Sequence, residues 1–224
     1  MLNTIKSVVK KPIRHVKMRW LRSRLEPASR HWGTERGKAI DRVYLEHFLE
    51  QHKDDIRGEV MEIGGRYYTN TFGTDVKKSV SYDIVDGEDV DIVGDLATGE
   101  GLRDNQFDCV LVLQTLMLIH DIQGACDTIK RILKPGGVAI VTVNFLAPNC
   151  ENPAHHQWQW NISPNAARKL FFDRFEESNT SVNSYGNYLT ASCLLAGLSD
   201  RDVSLEYWKH EPGYEVLVGV RAKK

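Results

Sequence analysis

The sequence predicts an α/β domain built on a mainly parallel sheet with helices on both faces. Three observations carry this. Strand-like and helix-like patterns alternate along the chain. Residues 107–113 are near-continuously apolar and rich in valine, as a central parallel strand buried on both faces requires. A short apolar run at residues 60–63 leads straight into Gly64-Gly65, a strand followed by a sharp turn.

The elements follow in order. Residues 38–56 read as a helix, with Ile40, Val43, Tyr44 and Phe48 on one stripe, Leu45 and Leu49 broadening it, and most charges outside it. Gly58 ends that helix, and residues 60–63 form the first strand. Strands are expected at 79–84, 90–93 and 107–113. A helix over 122–133 stops at Lys134-Pro135-Gly136-Gly137. Residues 138–143 are another buried strand. Ser163 caps a helix that opens on Pro164 and runs to about Phe175. A helix over 187–198 closes near Gly197, and 214–220 form the last strand.

Composition bounds the function. A chain of 224 residues suits one α/β domain plus an extension. The formal net charge of −1 argues against a nucleic-acid binder. Cys109, Cys126, Cys150 and Cys193 form no C-x-x-C pair, so neither a zinc knuckle nor a disulfide framework is expected, and a reducing cytosol fits. No apolar run approaches the ~20 residues of a membrane span. Pro12, Arg14 and Lys17 interrupt any signal-peptide core.

Charge is unevenly spread. Lys6, Lys10, Lys11, Arg14, Lys17, Arg19, Arg22, Arg24 and Arg30 face a single acid, Glu26, over the same stretch. This marks residues 1–37 as a basic N-terminal extension and 38–224 as the main domain. Leu2, Ile5, Val8, Val9, Ile13, Val16, Trp20 and Leu21 recur there at near-helical spacing, broken at Pro12. Two readings stand: a segment for peripheral contact with an anionic membrane or a protein partner, and a plain extension.

In parallel sheets, ligands bind beyond the carboxyl ends of strands. Those positions hold Glu62, Gly64 and Gly65 after the first strand, Asp83 after the second, Asp95 and Leu96 after the third, and Gln114 and Thr115 after the fourth. Glycine lets a ligand approach the backbone closely. Asp83 follows Gly64 at roughly the 20-residue spacing that lets an acid reach ribose hydroxyls. No G-x-x-x-x-G-K-[ST] occurs, and Gly64-Gly65-Arg66-Tyr67 is not G-x-G-x-x-G, which disfavours nucleoside triphosphates and dinucleotides.

These residues resemble the class I S-adenosylmethionine-dependent methyltransferases, of the type 11-like kind. Glu62-Ile63-Gly64-Gly65 is similar to their first motif, Tyr82-Asp83-Ile84 to the ribose-binding acid, and Asp91 through Leu96 to the segment whose acid faces adenine. Arg131-Ile132-Leu133-Lys134-Pro135-Gly136-Gly137 is similar to their R-x-L-K-P-G-G helix end. The resemblance implies a Rossmann-like sheet of seven strands with an antiparallel last strand, and S-adenosylmethionine as cofactor. Arg66 replaces the second glycine of the first motif, and a pairing of Arg66 with the methionine carboxylate follows as an expectation. Met117-Leu118 replace a frequent Glu-His pair. Toward the C-terminus, Trp160, Ser163, Ser184-Tyr185-Gly186-Asn187 and Gly213 through Val218 resemble methyltransferases associated with polysaccharide biosynthesis. That implies a glycan or small-molecule hydroxyl acceptor, and contact with a glycosyltransferase through the basic N-terminus.

The segment after the fifth strand should overhang the acceptor. His155 or His156 is expected as general base, with Trp158 and Trp160 lining the acceptor pocket through their flat apolar faces. Adjacent histidines lack the i, i+4 spacing of helical metal ligands, so no metal is expected. His120 offers two readings, facing the site or starting a helix. The rival functions are a non-catalytic adaptor of the same fold and an NAD-dependent oxidoreductase.

Overall fold

The computed structural model describes residues 26–148, 158–204 and 208–224. Seven strands among them form one sheet: β1 (Gly58–Ile63), β2 (Val76–Asp83), β3 (Ile92–Val93), β4 (Phe107–Leu113), β5 (Leu133–Asn144), β6 (Thr180–Tyr185) and β7 (Leu217–Lys223). Their order is β3-β2-β1-β4-β5-β7-β6. Strands β1 to β5 pair in parallel, and β7 runs antiparallel between β5 and β6. The direction of winding reverses between β1 and β4, so a crevice opens above their carboxyl ends.

Five α-helices among the described residues flank the sheet: α1 (Ile40–His52), α2 (Tyr67–Phe72), α3 (Ile122–Ile132), α4 (Pro164–Phe172) and α5 (Tyr188–Leu195). The period-2 alternation of the central strands divides the core in two. Val110, Val112, Ala139 and Val141 face Cys126 and Ile129 of α3 and Phe171 of α4. Cys109, Leu111, Val138 and Ile140 face Tyr44, Leu45, Phe48 and Leu49 of α1 and Leu194 of α5. Helix α1 lies so close to β7 that a Cβ on Gly219 would come within 2.9 Å of the Phe48 ring.

Caps fix the helix starts. Asp121 accepts from the Gly124 N–H at 3.0 Å, Ser163 accepts from Ala166 at 3.2 Å, and Asn187 forms a reciprocal capping box with Thr190. Each orients a loop at the carboxyl edge of the sheet or beside it.

Two elements, α2 and β6, are absent from the sequence reading, and β5 begins at Leu133, so that Lys134-Pro135-Gly136-Gly137 lies within the strand. Helix α2 is a short turn inserted between β1 and β2. Strand β6 has only half-buried residues and lies at the sheet edge, so Thr180–Tyr185 carries little apolar signal. Residues 26–37, placed by the sequence in the extension, pack against the end of α5: the Ala28 N–H donates to Ala196 O at 2.7 Å and Arg36 donates to Gly197 O at 2.6 Å. The basic amphipathic pattern up to Arg24 lies outside the described residues.

Candidate active site

A cleft of about 460 Å³ opens over the carboxyl ends of β1, β2, β3 and β4. Gly64, Tyr82, Asp83, Asp95, Leu96, Thr115 and His120 are among its lining residues. The volume lies in the range of small-molecule sites, about 300–1,000 Å³.

Gly64 turns the chain out of β1 with φ +82°, a left-handed conformation that side chains resist. A Cβ there would stand 3.7 Å from Asp83 Oδ2, so the carboxylate faces the glycine turn directly. The other oxygen, Asp83 Oδ1, accepts from the Val85 N–H at 3.0 Å, and Asp83 O accepts from Gly94 at 2.9 Å. The acid is thus oriented by its own loop while Oδ2 points at the turn. Asp95 repeats the device: Oδ1 accepts from Ala97 at 2.8 Å, and the backbone oxygen accepts from Thr98 and Gly99. Arg131 secures the following loop by donating to Leu102 O and Gly99 O and pairing with Asp104 at 2.7 Å. That explains physically why an arginine stands at the end of α3. Tyr82 sits beneath, its hydroxyl donating to Glu100 O at 3.1 Å; burial first, then the Asp95 and Glu100 charges, push its pKa up to about 12.

Two directed carboxylates, a glycine turn and apolar walls from Ile63, Ile84, Leu113, Leu118 and Ile119 suit an adenosyl ligand. The carboxylates accept from hydroxyl and amine hydrogens, and the apolar walls cover a flat base.

Other expected site residues are placed elsewhere. Glu62 is 3% exposed and turned under α2, where its two oxygens accept from the Tyr68 and Thr69 N–H groups at 3.0 and 2.7 Å. It caps α2, satisfying orphan donors of the first turn, and does not line the cleft. A Cβ on Gly65 would meet nothing within 4 Å, and that residue also lies outside the lining. Arg66 donates to Asp89 O at 2.8 Å and pairs with Asp91, so its guanidinium is engaged by the loop before β3. Gln114 leaves β4 with φ +55°, and its N–H donates to Thr142 O and Oγ1. Its amide oxygen and nitrogen are both buried without a hydrogen-bond partner among the described residues. Gln114 adjoins the cleft between two lining residues, Leu113 and Thr115.

The tryptophans do not line the cleft. Trp158 packs on the α3–α4 core and donates to Asn161 Oδ1 at 2.8 Å. Trp160 donates from Nε1 to Ile119 O at 2.9 Å, and the Gln159 and Trp160 N–H groups both reach Met117 O. The Trp160 indole and the backbone of Gln159 and Trp160 clamp the loop after β4, which forms one rim of the cleft. His155 and His156 lie outside the described residues. His120 lines the cleft, and it is the adjacent Asp121 that starts α3.

Sequence reasoning passed over one further feature. Asp41, in the first turn of α1, accepts from Asn144 Nδ2 at 3.1 Å. Both side chains are buried, and Asp41 Oδ1 and Asn144 Oδ1 have no partner among the described residues. The available signal was the stripe: Asp41 shares the buried face with Tyr44, Leu45 and Phe48.

Residues 57–141 match the family model described as methyltransferase domain. We find no curated protein whose sequence matches the chain. Among solved structures, a chain of the Haloferax volcanii complex between the Trm112 methyltransferase activator and a candidate methyltransferase is similar with TM-score 0.52 and 17% identity. That match covers 80% of this chain and 87% of the other. An S-adenosylmethionine-dependent methyltransferase from Thermotoga maritima gives 0.51 and 18%, covering 83% and 97%. Another from Mesorhizobium loti gives 0.50 and 12%, covering 79% and 95%. The fold is the Rossmann-like methyltransferase fold. The domain match and this fold indicate S-adenosylmethionine as the cofactor.

Proposed function

We propose that the protein is an S-adenosylmethionine-dependent methyltransferase acting on a hydroxyl of a saccharide, glycan or small molecule. The observation that carries this is the convergence of Gly64, Asp83 and Asp95 in one cleft, each oriented from a different strand end. Two acceptor carboxylates without a phosphate cradle favour an adenosyl ligand over NAD. The bound cofactor supplies an electrophilic methyl group; the chain supplies orientation and a dry, shaped site. The hydroxyl acceptor is supported by the C-terminal resemblance to methyltransferases of polysaccharide biosynthesis.

Thermal unfolding with S-adenosylmethionine, S-adenosylhomocysteine and NAD tests the cofactor. A ligand at 100 times its Kd adds about 2.7 kcal/mol, which at this size is a Tm shift on the order of 5–10 °C. Both adenosyl ligands should shift Tm and NAD should not. Methyl transfer to a panel of hydroxylated acceptors, starting with glycans, then separates an enzyme from an adaptor that only binds the cofactor.

The charge asymmetry of residues 1–37 supports a cytosolic protein that touches a membrane surface or a glycosyltransferase through that segment. No helix among the described residues is long and apolar enough to cross a membrane. Co-sedimentation with anionic but not zwitterionic vesicles, lost on deleting residues 1–24, is the expected result for the membrane contact.

A further inference from the structure

The buried pair formed by Asp41 and Asn144 has no structural need that its own contacts satisfy. Asp41 is 5% exposed and Asn144 4% exposed. One hydrogen bond joins them, Asn144 Nδ2 to Asp41 Oδ2 at 3.1 Å. Two oxygens remain, Asp41 Oδ1 and Asn144 Oδ1, both buried and both without a donor among the described residues. A buried unsatisfied acceptor destabilises the fold, the more so when charged, and such groups call for an explanation by a ligand, water or catalytic role. The free atoms here are acceptors only. They ask for a group that brings hydrogens.

The pair's place in the fold says where that group comes from. Asn144 is the last residue of β5, and its backbone oxygen accepts from Ile162 at 3.2 Å. Thr142, two residues earlier on the same face of β5, accepts from the Gln114 N–H at 3.2 Å. Gln114 is itself flanked by cleft-lining residues and carries an unpartnered buried amide. Across the sheet the order of site groups is therefore Asp95 after β3, Asp83 after β2, Gly64 after β1, Gln114 after β4 and Asn144 after β5. Parallel strands lie about 4.8 Å apart. The two acids suited to adenosine occupy the first two strand ends of that series. Asp41 and Asn144 occupy the far end, one strand beyond Gln114. A ligand whose adenosine lies between β3 and β1 presents its reactive end toward β4, and the next strand end faces the incoming acceptor.

Resting on the reading of the cleft as an S-adenosylmethionine site, we propose that Asp41, held by Asn144, faces the transferred methyl group and takes the proton of the acceptor hydroxyl. The acceptor oxygen forms the new C–O bond with a lone pair as the C–S bond breaks, that pair staying on sulfur. The hydroxyl proton passes to Asp41 Oδ1. The products are a methyl ether, S-adenosylhomocysteine and a neutral aspartic acid that later returns its proton to solvent. Asn144 is a positioning residue: its amide fixes Oδ2 and leaves Oδ1 free. This gives Asp41 the role that the sequence offered to His155 or His156.

The test needs no acceptor. Sinefungin is an S-adenosylmethionine analogue whose ammonium stands where the methyl group is carried. Calorimetry with sinefungin and S-adenosylhomocysteine should show wild-type protein preferring sinefungin by 10-fold or more. In Asp41→Asn that preference should fall to about 1, with S-adenosylhomocysteine affinity within about 3-fold of wild type. Asn144→Ser should lower the preference in the same direction, and carries the test should Asp41→Asn not fold. Equal weakening of both ligands in Asp41→Asn would place Asp41 at the amino-acid end of the cofactor and overturn the proposal. An unchanged preference in both variants, or none in wild type, would also overturn it. Failure of wild type to bind either ligand would instead sink the cofactor reading itself, and the proposal with it.

Discussion

The two halves of the proposed site, the cleft over β1 to β3 and the buried groups beside it at the ends of β4 and β5, are built on different terms. In the half over β1, β2 and β3, each acid has one oxygen tied to its own loop, Asp83 to Val85 and Asp95 to Ala97, and the groups are partly open to solvent. Such a site is ready before a ligand arrives, and water can satisfy it meanwhile. Beside the cleft, at the ends of β4 and β5, Gln114, Asn144 and Asp41 hold buried polar atoms with no partner among the described residues. That half is incomplete without donors for its free oxygens and an acceptor for the Gln114 amide nitrogen. On the reading proposed above, the contrast keeps affinity and chemistry apart: partly exposed, self-oriented acids would hold the adenosyl part, and desolvated polar groups would meet the reacting part, where electrostatic interactions are strongest.

Removing Asp83 should produce the largest effect. Hydrogen bonds to charged groups contribute about 1.5–3 kcal/mol, so Asp83→Ala should weaken S-adenosylhomocysteine by roughly 10- to 150-fold in calorimetry. Tm without ligand should change little, because the acid is partly exposed and its loop partner is a single N–H. Should Asp83→Ala bind normally, the division between the halves would be wrong at its stronger side.

Glu62→Gln sharpens the comparison from the structural side. Both Glu62 oxygens accept backbone N–H groups of α2. A glutamine offers one oxygen and turns an NH2 toward the other donor. The expected cost is about 1–3 kcal/mol of stability, seen as a lower Tm and a lower denaturant midpoint in the absence of any ligand. A normal Tm with impaired binding would instead return Glu62 to the cofactor.

How far the sequence reveals these halves follows from the range of the interactions. Asp83 and Asp95 are legible because each lies at a strand end in a local pattern, and strand ends are where ligands bind in parallel sheets. Gly64 is legible for the same reason. The Asp41–Asn144 pair joins residues 103 apart and exists only because α1 crosses the end of β5. Read alone, an acid in the first turn of a helix looks like a partner for the helix dipole. Glu62 misleads because its backbone position beside the glycine turn says nothing of where its carboxylate goes. Trp160 has a contact the sequence does not show, because its N–H reaches Ile119 O across 41 positions of the chain. Among the seven strands, β6 alone was unread, its alternation of serine, valine and asparagine being too weakly apolar at a sheet edge.

Trp160→Phe probes the rim that both halves share. It keeps the ring and deletes the donor to Ile119 O. A neutral hydrogen bond contributes about 0.5–1.5 kcal/mol, and with 41% of Trp160 exposed the effect should fall at the low end. A Tm lower by a few degrees with adenosyl affinity within about 3-fold is the expected result. A selective loss of acceptor turnover with unchanged Tm would restore Trp160 to the acceptor pocket.

The smallest effect should come from an acid far from both halves. Asp108 lies near the start of β4, at the opposite edge of the sheet, where it accepts from the Glu59 N–H at 2.8 Å and from Lys134 Nζ at 2.9 Å. Burial alone would raise its pKa, but these two donors together hold it below the ordinary carboxylate value. The folded state therefore binds the proton less readily than the unfolded chain. The resulting stabilisation is complete above the unfolded value, about 3.9 for aspartate, and is lost as pH falls through the lower folded value. The side chain is 40% exposed, so solvent screening limits the contribution to under about 1 kcal/mol. Asp108→Asn should lower Tm slightly at pH 6, and the difference from wild type should shrink toward pH 3. S-adenosylhomocysteine affinity at pH 6 should stay unchanged, because neither half of the proposed site touches this edge. A gap in Tm that widens on acidification would reverse the sign of the argument and show that Asp108 is stabilised in its protonated form.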